Sequence, residues 1–208
     1  MTTVAIVDFG MGNIVSVAAA VEKLGCRSVV TSTPSEIAAA DRIILPGVGA
    51  FGDAMRNLHE RGLVPALRHL VEKEHKPILG ICLGAQLICN ESEEFGRHEG
   101  FGWIDAMVTR LDSKPGCRIP HVGWNGFSRR RDSCLLRGIP EDALFYYVHS
   151  FGIQCQSEQS LIADCEYGTR FAAIIESGNV FGTQFHPEKS QRYGLAVLNN
   201  FLNEDLVC

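Results

Sequence analysis

At 208 residues, 46% of them apolar, the chain carries enough hydrophobic side chain for one sizeable core, which excludes a disordered polymer and fits one domain spanning 1–208. Twenty-four acidic residues against nineteen basic ones set the net charge at -5, without the cationic surplus that neutralises a phosphate backbone, so no nucleic-acid partner is expected. No apolar run reaches membrane-spanning length, and MTTVAIVDFGMGN lacks the cationic start of a signal peptide, so the expected setting is cytoplasmic, with no membrane partner.

In chain order, VAIV (Val4 to Val7) reads as a buried strand, Ile14 to Leu24 as a helix, SVV (Ser28 to Val30) and RIIL (Arg42 to Leu45) as strands. Helical patterns follow across Asp53 to Glu74, then the strand PILGI (Pro77 to Ile81). Apolar strands alternating with helices predict an α/β fold with a mainly parallel central sheet flanked by helices. From Trp103 the pieces shorten: MVTRL (Met107 to Leu111), LFYYVHSF (Leu144 to Phe151), RFAAIIES (Arg170 to Ser177) and NVFGTQFH (Asn179 to His186). Turn signals such as KPG and SGN between them predict antiparallel additions to the sheet. Gly194 to Leu202 reads as a closing helix.

Three glycine-containing turns follow strands: DFGMGN, PGVGAFG and CLGAQ. Parallel strands bring them to one edge of the sheet, where such folds collect ligands. GMGNIV lacks the third glycine of a dinucleotide fingerprint.

The chemistry-bearing residues begin with Cys82. Most buried cysteines are inert, and this thiol is one of eight, Cys26, Cys82, Cys89, Cys117, Cys134, Cys155, Cys165 and Cys208, none in a C-x-x-C pair and all expected to be reduced. Yet Cys82 falls where a strand gives way to a helix, the logic of a nucleophile elbow, and free N–H groups there favour a thiolate. Gly80 and Gly84 flank it at two residues on either side. A thiolate nucleophile works with a histidine and an orienting group, and TQFHPEKS supplies His186 and Glu188. In an extended segment these two project to the same side. A developing oxyanion needs N–H donors, for which Leu83 and the PGVG turn, Gly47 and Val48, are candidates. No H-E-x-x-H or cysteine–histidine zinc spacing occurs, so neither a metal nor another cofactor is expected.

The ordered set GICLGAQ, PGVGAFGDAM and QFHPEKSQ resembles class I, triad-type glutamine amidotransferases, which have a flavodoxin-like fold. Within that family DFGMGN, GFGWIDAMVTRL, IPHVGWN, FYYVHSF and FGTQFHPEKSQRYGLAVLNNF are similar to glutaminase subunits of imidazole glycerol phosphate synthase, from about Val4 to Leu202. The resemblance implies a catalytic triad of Cys82, His186 and Glu188 that hydrolyses glutamine to glutamate and ammonia. It implies Gly49, Gln86, His149, Ser150 and Phe151 as substrate-binding positions. It also implies a heterodimer with a (β/α)8-barrel cyclase subunit that uses the ammonia in histidine biosynthesis, with Asn13, Pro120, Trp124, Asn125 and Lys189 at or near the interface. Core packing is the competing reading for Trp124. Ala85 departs from the methionine common at that position in the family. ESEEFGRHEGFGWID is also similar to relatives that supply ammonia for amidino groups on bacterial surface sugars, an alternative acceptor. A freestanding cysteine hydrolase and a catalytically silent binding subunit are the remaining alternatives.

Overall fold

In the first strand Val4 and Ile6 enter one apolar cluster while Ala5 and Val7 enter another, and all four are fully buried. With side chains alternating across a strand, that requires a sheet covered on both faces. The computed structural model of the protein, which describes residues 1–203 and Leu206, has this arrangement; Cys208 lies outside the described residues.

The first half runs β1 (Thr3–Val7), α1 (Ile14–Lys23), β2 (Arg27–Thr31), α2 (Pro34–Ala39), β3 (Arg42–Gly47), α3 (Phe51–Glu60), α4 (Leu63–Arg68), β4 (Ile78–Cys82) and α5 (Leu83–Leu87). The helical patterns expected across Asp53 to Glu74 resolve into α3, α4 and a π-helical turn, His69–Lys73, with Gly62 at φ 66° between α3 and α4. The second half contains β5 (Cys89–Ser92), β6 (His98–Glu99), β7 (Ile104–Arg110), β8 (His121–Asn125), β9 (Ser128–Arg129), β10 (Phe145–His149), β11 (Phe151–Cys155), β12 (Leu161–Tyr167), β13 (Thr169–Ser177), β14 (Val180–Thr183) and α6 (Gln191–Asn203).

The main sheet has the order β2-β1-β3-β4-β14-β13-β11-β7-β5-β6, with β12 and β9 branching from β13. Strands β2, β1, β3, β4 and β14 are mutually parallel. The expected antiparallel additions are present as the β7–β11, β11–β13, β12–β13 and β13–β14 pairings, while β14 also lies parallel beside β4 and β7 parallel beside β5. The reason for β14 is topological. The turn at Gly178 makes it antiparallel to β13, which itself runs against the direction of β4. LFYYVHSF divides at Ser150: β10 pairs with β8 in a separate two-stranded ribbon, whereas β11 joins the main sheet. NVFGTQFH stops being strand at Thr183, so Gln184 to His186 emerge beyond the end of β14. No helix among the described residues is long and apolar enough to cross a membrane.

Candidate active site

At the end of β4, Cys82 takes φ 54° and ψ −105° and α5 begins at the next residue. A side chain at that backbone geometry costs about 1–3 kcal/mol, so the surroundings must enforce it. They do so by bringing α5 against the sheet. A Cβ on Gly84 would stand 1.7 Å from the Leu45 carbonyl oxygen of β3, and one on Gly80 would stand 2.5 Å from the Gly84 oxygen. Only glycine allows these approaches. Ala85 is fully buried, and its Cβ lies 3.1 Å from where a Cβ on Gly182 of β14 would be, so the small residue lets α5 pack close to β14.

Because β14 lies beside β4, the residues leaving its end arrive at Cys82. His186 is extended, but Glu188 sits in a short 3-10 turn, Pro187–Lys189, so the condition of an extended segment holds only as far as His186. The two side chains meet through that turn. His186 Nδ1 donates to Glu188 Oε1 at 2.9 Å, and both side chains are buried. That bond fixes which ring nitrogen remains for chemistry. Nε2 is buried without a hydrogen bond of ordinary geometry. Burial alone lowers the pKa of His186, but the Cys82 sulfur and the Glu188 carboxylate more than reverse this and hold it at about 9. The imidazole is therefore built to carry a proton next to a sulfur that can give one up.

A cavity of about 280 Å³ opens over Cys82. Gly49, Gln86, His149, Ser150 and Phe151, expected around the substrate, all line it, as do Val48 and Leu83 from the expected oxyanion donors. Gly47 pairs in register with Cys82 but is not part of the lining. Pro120, expected at a partner interface, lines this cavity too. The other interface candidates lie elsewhere. Trp124 is 45% exposed on the β8–β10 ribbon rather than in the core, and Lys189 Nζ lies 6.0 Å from the Tyr146 ring centre on that ribbon. Trp124 also lines an open groove with Leu144, Arg192 and Tyr193. Asn125 Nδ2 donates to the Glu166 carbonyl at 3.2 Å, and Asn13 immediately precedes α1 and accepts from Ser16 Oγ at 3.0 Å.

Four groups went unassigned at the sequence level. Glu94 lines the cavity and accepts from the Phe51 N–H of α3 at 2.7 Å; it stands in the acidic ESEE run, with nothing local to single it out. The Val148 carbonyl lies 3.9 Å from Cys82 Sγ. Gln184, fully buried, brings Nε2 to 3.8 Å from the same sulfur; its position two residues before His186 was the available signal. His121 contacts His149, ring nitrogen to ring nitrogen, at 3.2 Å, and the two are cross-strand partners in the ribbon. Burial lowers the pKa of His121 to about 4 and of His149 to about 3.

Comparison with known proteins gives the chain a family. The family model described as glutamine amidotransferase class-I matches residues 5–204. A protein named imidazole glycerol phosphate synthase subunit HisH from Moorella thermoacetica is 49% identical over 97% of this chain and 94% of its own length. One of the same name from Aquifex aeolicus is 46% identical over 94% of both chains. Among solved structures, a glutamine amidotransferase has a TM-score of 0.75 at 17% identity, covering 95% of this chain and 98% of that one. PurLQS from Thermotoga maritima has a TM-score of 0.73 at 19% identity, covering 97% and 98%. At such identities the likeness is one of fold. The sequence matches extend it to family, and the chain belongs to the class-I glutamine amidotransferases.

Proposed function

We propose that this protein is the glutaminase subunit of an imidazole glycerol phosphate synthase, with Cys82, His186 and Glu188 as its catalytic triad. The observation that carries the chemistry is the buried His186, bound through Nδ1 to Glu188 with its other nitrogen unsatisfied, beside the Cys82 sulfur at the floor of a small cavity. The cavity is of a size for one amino acid, and Glu94 offers a carboxylate to its ammonium group.

The Cys82 thiolate attacks the side-chain carbonyl carbon of glutamine, and the pair of electrons displaced onto oxygen is held by the N–H groups of Leu83 and of Val48 in the PGVG turn, the two of the three expected donors that line the cavity. Protonated His186 delivers its proton to the amide nitrogen, the C–N bond breaks, and ammonia leaves. Water then attacks the glutamyl thioester while His186 takes its proton; the C–S bond breaks, its electron pair returns to sulfur, and glutamate departs. Glu188 fixes the imidazole orientation and stabilises its charged form.

Ammonia released into water at neutral pH is protonated and loses its nucleophilicity, so release calls for a receiver. The names of the relatives favour a synthase partner in histidine biosynthesis over the surface-sugar acceptor. We assign that partner as a (β/α)8-barrel cyclase docking over Asn13, Trp124, Asn125 and Lys189, with Pro120 between that face and the cavity. The exposed Trp124, Val122 and Leu144 supply its apolar part. We read residues 1–208 as one amidotransferase domain. The seven described cysteines are free thiols, which fits the cytoplasm.

The test is glutamate release from glutamine by the chain with its partner. Cys82→Ala is expected to abolish it while added ammonium still supports the partner's reaction. Glutamine turnover retained by Cys82→Ala rules out the assignment.

A further inference from the structure

One carbonyl decides the polarity of an entire buried network. Phe151 O accepts from Gln86 Nε2 at 2.9 Å and lies 2.8 Å from His149 Nδ1. A carbonyl oxygen cannot donate, so both groups present N–H to it. Gln86 therefore turns its amide nitrogen inward, and this same nitrogen lies 3.1 Å from the side-chain oxygen of Gln184. Were Gln184 flipped, two NH₂ groups would face each other. Its oxygen must point at Gln86, which leaves its Nε2 pointing at Cys82 Sγ, 3.8 Å away. In the other direction, His149 carries its proton on Nδ1, so its Nε2 is the acceptor and His121 Nδ1 is the donor at 3.2 Å. His121 is stacked on Tyr167 at 3.9 Å and on Tyr147 at 4.9 Å between ring centres, which holds this end of the network still.

We propose that Gln184 is a catalytic residue: its side-chain N–H, aimed by Gln86 and ultimately by Phe151 O, donates to the Cys82 sulfur and stabilises the thiolate. Besides His186, the sulfur has two polar neighbours with opposite preferences. The Val148 carbonyl at 3.9 Å can accept only from a thiol S–H, whereas the Gln184 N–H strengthens when the sulfur is charged. Moving the proton from sulfur to His186 therefore gives up the first contact and reinforces the second. The same donor acts again when the glutamyl thioester is hydrolysed: as the C–S bond breaks, its electron pair lands on a sulfur that already faces an N–H. The titratable groups around that sulfur are His186 with Glu188 behind it, His149 from β10 with His121 behind it, and Glu94 across the cavity.

The proposal rests on Cys82 as the nucleophile, so its test is independent of turnover. Iodoacetamide alkylation of Cys82 in the full-length chain is followed by peptide mass against pH. Gln184→Met keeps the length and apolar bulk and removes the donor; Gln184→Glu keeps the shape and replaces the donor with an acceptor. In both, the midpoint of the alkylation profile is expected about one pH unit higher, with roughly tenfold slower alkylation below it. Glutamine kcat falls with KM within about twofold, a split that loss of packing alone does not give. In the unmutated chain carrying 15N-labelled glutamine residues, one side-chain amide is expected to titrate in step with Cys82 alkylation and to stop titrating once Cys82 is blocked. Unshifted profiles in folded variants overturn the proposal, as does the absence of any such amide, which decides the matter even if both variants fail to fold. A parent chain that shows the alkylation shift and the titrating amide but turns over no glutamine counts against the proposed function and not against the Gln184 contact.

Discussion

At Cys82 the usual ranking of alanine over glycine should invert. With φ 54° and ψ −105°, any side chain is strained there, whereas glycine occupies the region freely. Cys82→Gly is expected to be more stable than Cys82→Ala by about 1 kcal/mol in urea unfolding, though both are inactive. A less stable glycine variant means the elbow is unstrained. The buried histidines make a second residue-scale prediction. His121 and His149 titrate at about 4 and about 3, below the unfolded value of 6.5. Their contribution is complete above pH 6.5 and is lost as pH falls toward those values, because the unfolded chain takes up protons first. His186, raised to about 9, acts oppositely: its contribution is complete below 6.5 and is lost as pH rises through about 9. The melting temperature should therefore peak near neutrality and fall on both sides. His121→Phe, which keeps the ring stack, should flatten the acid limb relative to the parent chain; an unchanged acid limb contradicts the assignment of His121 as a buried neutral ring.

At the scale of elements, α5 is defined by how closely it meets β3. Gly84→Ala places a carbon 1.7 Å from the Leu45 carbonyl oxygen, so α5 must move; a loss of about 3 kcal/mol or more, or failure to fold, is expected by denaturant titration. The β8–β10 ribbon gives the complementary case. Trp124 is exposed, so Trp124→Ala should leave the melting temperature within about 2 °C while weakening partner binding at least tenfold by titration calorimetry. The sequence made the parallel half plain because Val4 to Val7, Arg42 to Leu45 and Pro77 to Ile81 are apolar runs buried on both faces. It did not disclose β8, whose HVGWN has an exposed valine and tryptophan and a glycine at φ 145°. Nor did it disclose that β10 and β11 part at Ser150, since LFYYVHSF is continuous in composition and its partners are distant in the chain.

Across the whole molecule, the site depends on strand order. Cys82 and the HPE segment are far apart in sequence and meet because β14 inserts beside β4, which local patterns could not reveal. Residue chemistry named Cys82, His186 and Glu188 as a set, while Gln184 and Glu94 emerged only with their contacts, because a buried glutamine and one acid in an acidic run look ordinary until their neighbours are known. The central claim, that Cys82 frees ammonia for a coupled synthase, is tested most directly by following nitrogen. Amide-15N glutamine is supplied to the chain and the proposed cyclase partner in the presence of excess unlabelled ammonium, at a pH near 7 where little free ammonia competes. The account predicts 15N in the imidazole product with the parent chain and none with Cys82→Ala. Product without label from the parent chain, or equal label from both chains, contradicts it.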